Sequence, residues 1–217
     1  MGAVIFDMDG VIVNSEPLHE RAFLDVVAEL GYGHDFGLRF ADYVGRSDHE
    51  LWVDFIVKHR PPQPLAELMA RKRQRMIEVI RRTKPIFPGL PELVAKLAQH
   101  YRLAVASGSE RMVIDTVMEL DDLRRFFPVV VSAADVPRGK PAPDIFLRVA
   151  RLLGVKPADC WVIEDSKPGV AAGLAAGMSV IAIANTHPAD ELQQAHHVVH
   201  SCAEIERLLL PVQSLKR

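Results

Sequence analysis

The sequence predicts an α/β protein: a doubly wound parallel sheet interrupted after its first strand by a helical insertion. Three observations carry this prediction. Five short apolar runs recur along the chain, helical spacings lie between later runs, and one long interval after the first run holds helical spacings alone.

The apolar runs are Ala3 to Phe6, Leu103 to Ala106, Val129 to Val131, Trp161 to Ile163 and Val180 to Ala184. Each is short and bounded by polar or turn residues, as a strand buried on both faces should be. Helical spacing joins Leu93, Val94, Leu97 and Ala98; then Val113, Ile114, Val117 and Met118; then Ile145, Phe146, Val149, Ala150 and Leu153. Pro91 and Pro143 sit where first-turn prolines are tolerated, and Gly154 and Gly177 where a left-handed C-terminal cap is needed. From about Ser15 to Lys84 no strand pattern occurs. Leu18, Ala22, Phe23, Val26 and Leu30 mark one helix ended by Gly31, and further helices are expected over 48–59 and 65–82, the latter opened by Pro61, Pro62 and Pro64. Pro85 to Gly89 marks the return to the sheet. The expected core is therefore 1–14 with 86–217, and the insertion 15–85.

With 217 residues, 49% hydrophobic and 25% charged, the chain can bury one core or a core plus a small lobe, which excludes disordered and fibrous architectures. A net charge of −2 provides no field to draw it onto nucleic acid or an anionic membrane, so neither partner is expected and an anionic ligand needs a local site. Cys160 and Cys202 lie in or beside apolar stretches, as reduced cysteines of a cytosolic protein would. No apolar run approaches the roughly 18 residues of a membrane span, and the N-terminus lacks a basic segment before Asp7. A soluble, cytoplasmic protein is expected, monomeric in the simplest case. Phe6 stands where N-myristoylation after Gly2 would want Ser or Thr, which rejects that modification.

Three runs end in polar residues that an open parallel sheet would bring to one crevice: Asp7 and Asp9 with Gly10, then Ser107-Gly108-Ser109, then Glu164-Asp165-Ser166. Taken singly, an acid after a strand is ordinarily a turn or helix cap, and Lys140 in its proline-rich loop is ordinarily a solvated surface residue. Together and in this order they suggest a site. Each like-charge pair among Asp7, Asp9, Glu164 and Asp165 would cost about 4 kcal/mol at 4 Å in an effective dielectric near 20, so the cluster needs a cation. All-oxygen donors favour Mg²⁺. Lys140, a serine hydroxyl and backbone N–H groups would complete a phosphate site.

At this point the residues resemble the haloacid dehalogenase superfamily, in its phosphatase and β-phosphoglucomutase-like branch. The resemblance rests on Val4-Ile5-Phe6-Asp7-Met8-Asp9-Gly10-Val11, Val105-Ala106-Ser107-Gly108-Ser109, Gly139-Lys140-Pro141-Ala142-Pro143-Asp144-Ile145-Phe146 and Val162-Ile163-Glu164-Asp165-Ser166-Lys167-Pro168-Gly169. It implies a Rossmann-like core with a helical cap. It makes Asp7 the nucleophile that forms an aspartyl-phosphate and Asp9 the acid and base. Ser107, Gly108 and Lys140 would bind the phosphoryl group; Asp7, the Asp9 carbonyl and Asp165 would hold Mg²⁺, with Glu164 in support. An acid at Asp9 favours phosphate esters over the dehalogenase and phosphonatase branches.

On the insertion, His19 and Arg46 match positions that in this branch couple closure to catalysis and bind a distal phosphate, and Lys72 is a third candidate. The simpler expectation for Arg71, Lys72, Arg73 and Arg75 is an exposed basic face, and for His19 a solvated helix face. Ser109 and Arg111 are candidate substrate contacts. Glu110 and Arg111 replace Lys and Asn of the mutase pattern, which weakens a mutase reading because Glu110 would repel a second phosphate. Asn14 stands for a common Asp, with no consequence we can assign. His196, His197, His200 and Trp52 form no metal or cofactor spacing and are expected to be structural. The leading expectation is a Mg²⁺-dependent phosphatase of a small phosphorylated metabolite, a sugar or polyol phosphate. A sugar phosphomutase is the alternative, and a phospho-accepting receiver module is a remote one that does not account for the helical insertion.

Overall fold

The computed structural model describes residues 1–33, 36–43 and 48–210. The chain divides into two compact units, Met1–Asn14 with Pro85–Arg217, and Ser15–Lys84. Pro85 falls with the first unit, where its carbonyl accepts the Asn14 N–H (2.9 Å).

The first unit is built on six strands: β1 (Ala3–Phe6), β2 (Arg102–Ser107), β3 (Val129–Ser132), β4 (Cys160–Glu164), β5 (Ser179–Ile183) and β6 (His197–Val199). All pairings are parallel, in the order β3-β2-β1-β4-β5-β6. The sheet is therefore the expected doubly wound α/β core. β6 adds a strand to the five expected. At three residues it is too short for an apolar run to stand out, and it closes the edge beside β5, where the ring of His196 accepts the Val180 N–H at Nδ1 (3.0 Å).

The helices are α1 (Glu16–Glu29), α2 (Asp48–His59) and α3 (Leu65–Thr83) in the second unit, and α4 (Leu90–Leu97), α5 (Arg111–Glu119), α6 (Asp144–Leu153), α7 (Lys167–Ala175) and α8 (Cys202–Leu209) in the first. Pro91 lies in the first turn of α4 as expected, but Pro143 stands one residue earlier than expected, at the N-cap of α6. Gly154 takes the left-handed cap of α6 (φ 65°), and Gly177 is left-handed just past α7 (φ 71°).

Alternation along the strands sends Ala3, Ile5, Ala104, Ala106, Val162, Val180 and Ala182 into one core with Ile145, Phe146 and Val149 of α6 and Val170 of α7. The intervening residues Val4, Phe6, Leu103, Val105, Ile163 and Ile181 are also buried, and Phe6 meets Phe127 edge to face (5.5 Å). Strands apolar on both sides require cover on both sides, which explains the uninterrupted apolar runs. In the second unit, Phe23, Trp52 and Phe55 form an aromatic centre, Phe23 lying 4.7 Å and Phe55 5.4 Å from the Trp52 ring. Trp52 is thus structural.

Cys160 is buried and Cys202 only half-buried, and both are free thiols. Among the described residues no helix is long and apolar enough to cross a membrane.

Close packing of α7 on the sheet depends on a missing side chain. A Cβ built at Gly173 would lie 2.8 Å from Val180 Cγ2 and 3.5 Å from Val162. Gly173→Val is expected to overpack this contact by about 1–3 kcal/mol, lowering the melting temperature by about 2–4 °C per kcal/mol for a chain of this size. A scanning calorimetry trace unchanged from wild type would contradict that packing.

Candidate active site

β1 lies at the point where the strand order reverses, with β2 on one side and β4 on the other. Residues just past the carboxyl ends of these strands share a crevice. Asp7 follows β1 directly, and its N–H extends the ladder to the Ile163 carbonyl (2.9 Å). The chain then turns over the Met8 carbonyl, which accepts from Ile12 (2.8 Å) and Val13 (3.1 Å), while Gly10 donates to Val13 (2.9 Å). Gly10 is required here: its φ is 77°, and a Cβ would fall 1.7 Å from Asp165 Oδ2.

Lys140 binds the two central strands together electrostatically. Its ammonium donates to Asp7 Oδ1, to Glu164 Oε1 (2.6 Å) and to the Ala106 carbonyl (3.3 Å), which accounts for its three protons. The other Glu164 oxygen accepts the Asp165 N–H (2.9 Å), the Ser166 N–H (3.0 Å) and the Ser166 hydroxyl (2.8 Å). Ser166 Oγ in turn caps α7 by accepting from Gly169 (3.2 Å). Glu164, at 0% exposure, is therefore held on both oxygens.

Asp7, Glu164 and Asp165 each offer an oxygen within 4.8 Å of the others'. Burial pushes the Asp7 carboxyl well above the ordinary carboxylate range, with Lys140 opposing and Glu164 and Asp165 adding to the rise. Asp165 is pushed up to about 7, by burial first and then by the Glu164 charge. Burial works against the charge on Lys140, but Asp7 and Glu164 outweigh it and raise the ammonium above the ordinary lysine range. Lys140 can offset only part of the negative charge here. An all-oxygen set with too little positive charge, and a carboxylate seated over a glycine that leaves it room, fit a hard divalent cation such as Mg²⁺.

Asp9 turns toward the end of β2. Its Oδ2 accepts the Ser109 hydroxyl (2.6 Å) and, at longer range, the Ser107 hydroxyl (3.3 Å). Ser107 is buried and also accepts the Ser109 N–H (3.0 Å), while Gly108 between them is exposed. The structure thus brings Asp7, Asp9, Ser107, Ser109, Lys140, Glu164 and Asp165 together.

One expected residue of the sheet unit has other partners. Arg111, a candidate substrate contact, is drawn instead to the end of β3, donating to the Val130 carbonyl (3.1 Å) and to Asp135. Lys72 does not join an exposed basic face: it is 2% exposed and donates to His19 Nδ1 (3.0 Å), linking α3 to α1. It falls on the buried stripe Leu68, Lys72, Met76 and Ile80, so helical spacing outweighed the neighbouring charges. Arg71 and Arg75 are half-buried, paired with Glu67 and with Glu29 and Glu78. Arg46 lies outside the described residues.

The turn after β5 contributes residues that the sequence reading passes over. Asn185 donates to the Gly10 carbonyl (2.8 Å), the Thr186 hydroxyl bonds the Asp165 carboxyl, and His187 Nδ1 donates to the Asp165 carbonyl (3.1 Å). Their signal was the same as that of the other motifs, polar residues directly after an apolar run.

Fold and site together define an α/β enzyme with a carboxylate–lysine centre at the strand switch point. A family model for haloacid dehalogenase-like hydrolases matches residues 4–183. Hexitol phosphatase B of Escherichia coli K12 is 37% identical over 195 residues, 88% of this chain and 85% of its own. Fructose-1-phosphate phosphatase YqaB of the same organism is 31% identical over 180 residues, 82% of this chain and 94% of its own. The crystal structure of a putative β-phosphoglucomutase from Thermotoga maritima matches with a TM-score of 0.81 at 28% identity, covering 96% of this chain and 98% of that one. The chain belongs to the haloacid dehalogenase-like hydrolase family.

The raised carboxyls have a consequence for stability. Asp165 rises from 3.8 to about 7 on folding, so the metal-free fold binds the extra proton and loses stability as pH rises between those values; above about 7 the loss is complete. A cation held by these carboxylates would remove that penalty where it is largest. Added Mg²⁺ is expected to raise the melting temperature more at pH 8 than at pH 5, and an equal shift at both would contradict this electrostatic account.

Proposed function

We propose that this protein is a Mg²⁺-dependent phosphatase that hydrolyses a small sugar or polyol phosphate through an aspartyl-phosphate on Asp7. The observation that carries the proposal is the Lys140 ammonium shared by Asp7 and Glu164 beside Asp165, at the end of the central strand. The relatives' names, a hexitol phosphatase and a fructose-1-phosphate phosphatase, support the substrate class.

Asp7, the Asp9 carbonyl and Asp165 would hold the ion, which when bound supplies charge neutralisation for the carboxylates and the phosphoryl oxygens. An Asp7 carboxylate oxygen attacks phosphorus as the ester P–O bond breaks, and Asp9 gives its proton to the departing alkoxide. Asp9, now a carboxylate, takes a proton from water, whose oxygen attacks phosphorus and displaces Asp7. Lys140 keeps Asp7 oriented and stabilises the added phosphate charge, Ser107 and the backbone after β2 bind the phosphoryl oxygens, and Glu164 holds Lys140. The helical unit is assigned the role of a cap that selects the leaving group, with His19 and Arg46 as its contacts and the buried Lys72 orienting His19.

Purified protein with Mg²⁺ should release inorganic phosphate steadily from members of a sugar and polyol phosphate panel, and Asp7→Asn should lower that rate by at least about 10³-fold. Isomerised hexose phosphate without free phosphate would favour a mutase. No turnover across the panel, or full activity in Asp7→Asn, would overturn the proposal.

A further inference from the structure

Asp9 is met by the loop that follows β2. Gly108 has open space beside it, and nothing within 4 Å would meet a Cβ there. Yet the Ser109 hydroxyl must reach Asp9 Oδ2 at 2.6 Å. The backbone of Ser109 is fixed from both sides. Its N–H donates to Ser107 Oγ (3.0 Å), and its carbonyl accepts the Ser132 hydroxyl (2.8 Å).

Ser132 ends β3, two strands from Asp7, and is 1% exposed. Its own placement is strongly determined. Its N–H donates to Asp135 (2.8 Å), its Oγ accepts the Ala134 N–H (3.3 Å), and Arg111 anchors Asp135 while bonding the Val130 carbonyl (3.1 Å). A chain of hydrogen bonds therefore runs from Arg111 through Asp135, Ser132 and Ser109 to Asp9.

We propose that Ser132 is a positioning residue for the proton-transfer group: by clamping the Ser109 carbonyl it aims the Ser109 hydroxyl, and through it the Asp9 carboxyl. This rests on the acid role given to Asp9 above. Arg111 and Asp135 are the outer anchor of the clamp, so Arg111 acts through the loop rather than on substrate. Without the Ser132 hydroxyl, the Ser109 carbonyl loses that donor, leaving the Ser109 N–H bond to Ser107 to hold a loop in which nothing packs beside Gly108. Proton transfer is sensitive to any drift of that loop, since a misplacement of about 1 Å can cost about 100-fold.

The readout is leaving-group dependence. An alkoxide needs a proton as it departs, whereas p-nitrophenolate leaves readily without one, and kcat/KM reports only steps through formation of the aspartyl-phosphate. The probes are sorbitol 6-phosphate and p-nitrophenyl phosphate, both with Mg²⁺. Ser132→Ala should lower kcat/KM for sorbitol 6-phosphate by about tenfold or more and for p-nitrophenyl phosphate by less than about twofold. Ser132→Thr should restore the first value. In a Ser109→Ala background, Ser132→Ala should cost no further activity, a comparison that stands even if the single variant is less stable. Equal losses on both esters, no loss on either, or full additivity with Ser109→Ala would overturn the inference while leaving the phosphatase proposal intact. Wild-type protein that hydrolyses neither these esters nor any member of the panel would overturn both.

Discussion

The rest of this structure depends on a charge imbalance at one edge of a sheet. Asp7, Glu164 and Asp165 are buried together, and one ammonium lies between the first two. Two carboxylates about 4 Å apart repel by about 4 kcal/mol even in a dielectric near 20, so a single lysine cannot make the cluster comfortable. Under the proposed function that demand is met by a divalent cation and a phosphate whose charge cation and lysine would handle jointly. The raised Asp7 and Asp165 carboxyls are the expression of that unmet demand in the chain itself.

The fold supplies the rigidity that this crowding requires. Asp7 belongs to the central strand, where neighbours on both sides fix its backbone. Glu164 is tied to the first turn of α7 through Ser166, and Asp165 is braced by Thr186 and His187 from the turn after β5. Glycines allow the closest approaches: a Cβ at Gly169 would lie 1.7 Å from Glu164 Oε1, as one at Gly10 would from Asp165. The two crossings to the helical unit run side by side, with Val13 bridged to Ile86 and Phe87 donating to the Ile12 carbonyl (3.0 Å). A large insertion thus leaves and re-enters the sheet unit at one place without disturbing β1.

Much of this was legible in the sequence because two signals coincided. Buried parallel strands announce themselves as apolar runs, and the polar residues that follow them fall at the carboxyl edge by topology alone. What was not legible has identifiable causes. β6 has three residues, and α7, written Lys167-Pro168-Gly169-Val170-Ala171-Ala172-Gly173-Leu174-Ala175, is small on every side and shows no stripe. Lys72 was obscured by the arginines around it, although its four-residue spacing from Leu68 and Met76 marks the buried face. Arg111 looked free to meet substrate because Asp135 is far along the chain, and only the β2–β3 register, pairing Ser107 with Ser132, brings the two together. Pairwise partners of that kind depend on strand order, which periodicity does not contain.

The central claim is that these acids and Lys140 form one phosphoryl-accepting centre completed by a cation. A crystal structure of the protein grown with Mg²⁺ and beryllium fluoride, a stable mimic of a carboxyl phosphate, tests it most directly. The account predicts the fluoride adduct on Asp7, an ion touching both Asp7 and Asp165, and the Lys140 ammonium within hydrogen-bond reach of the adduct. An unmodified Asp7, or an ion bound away from these carboxylates, would contradict it.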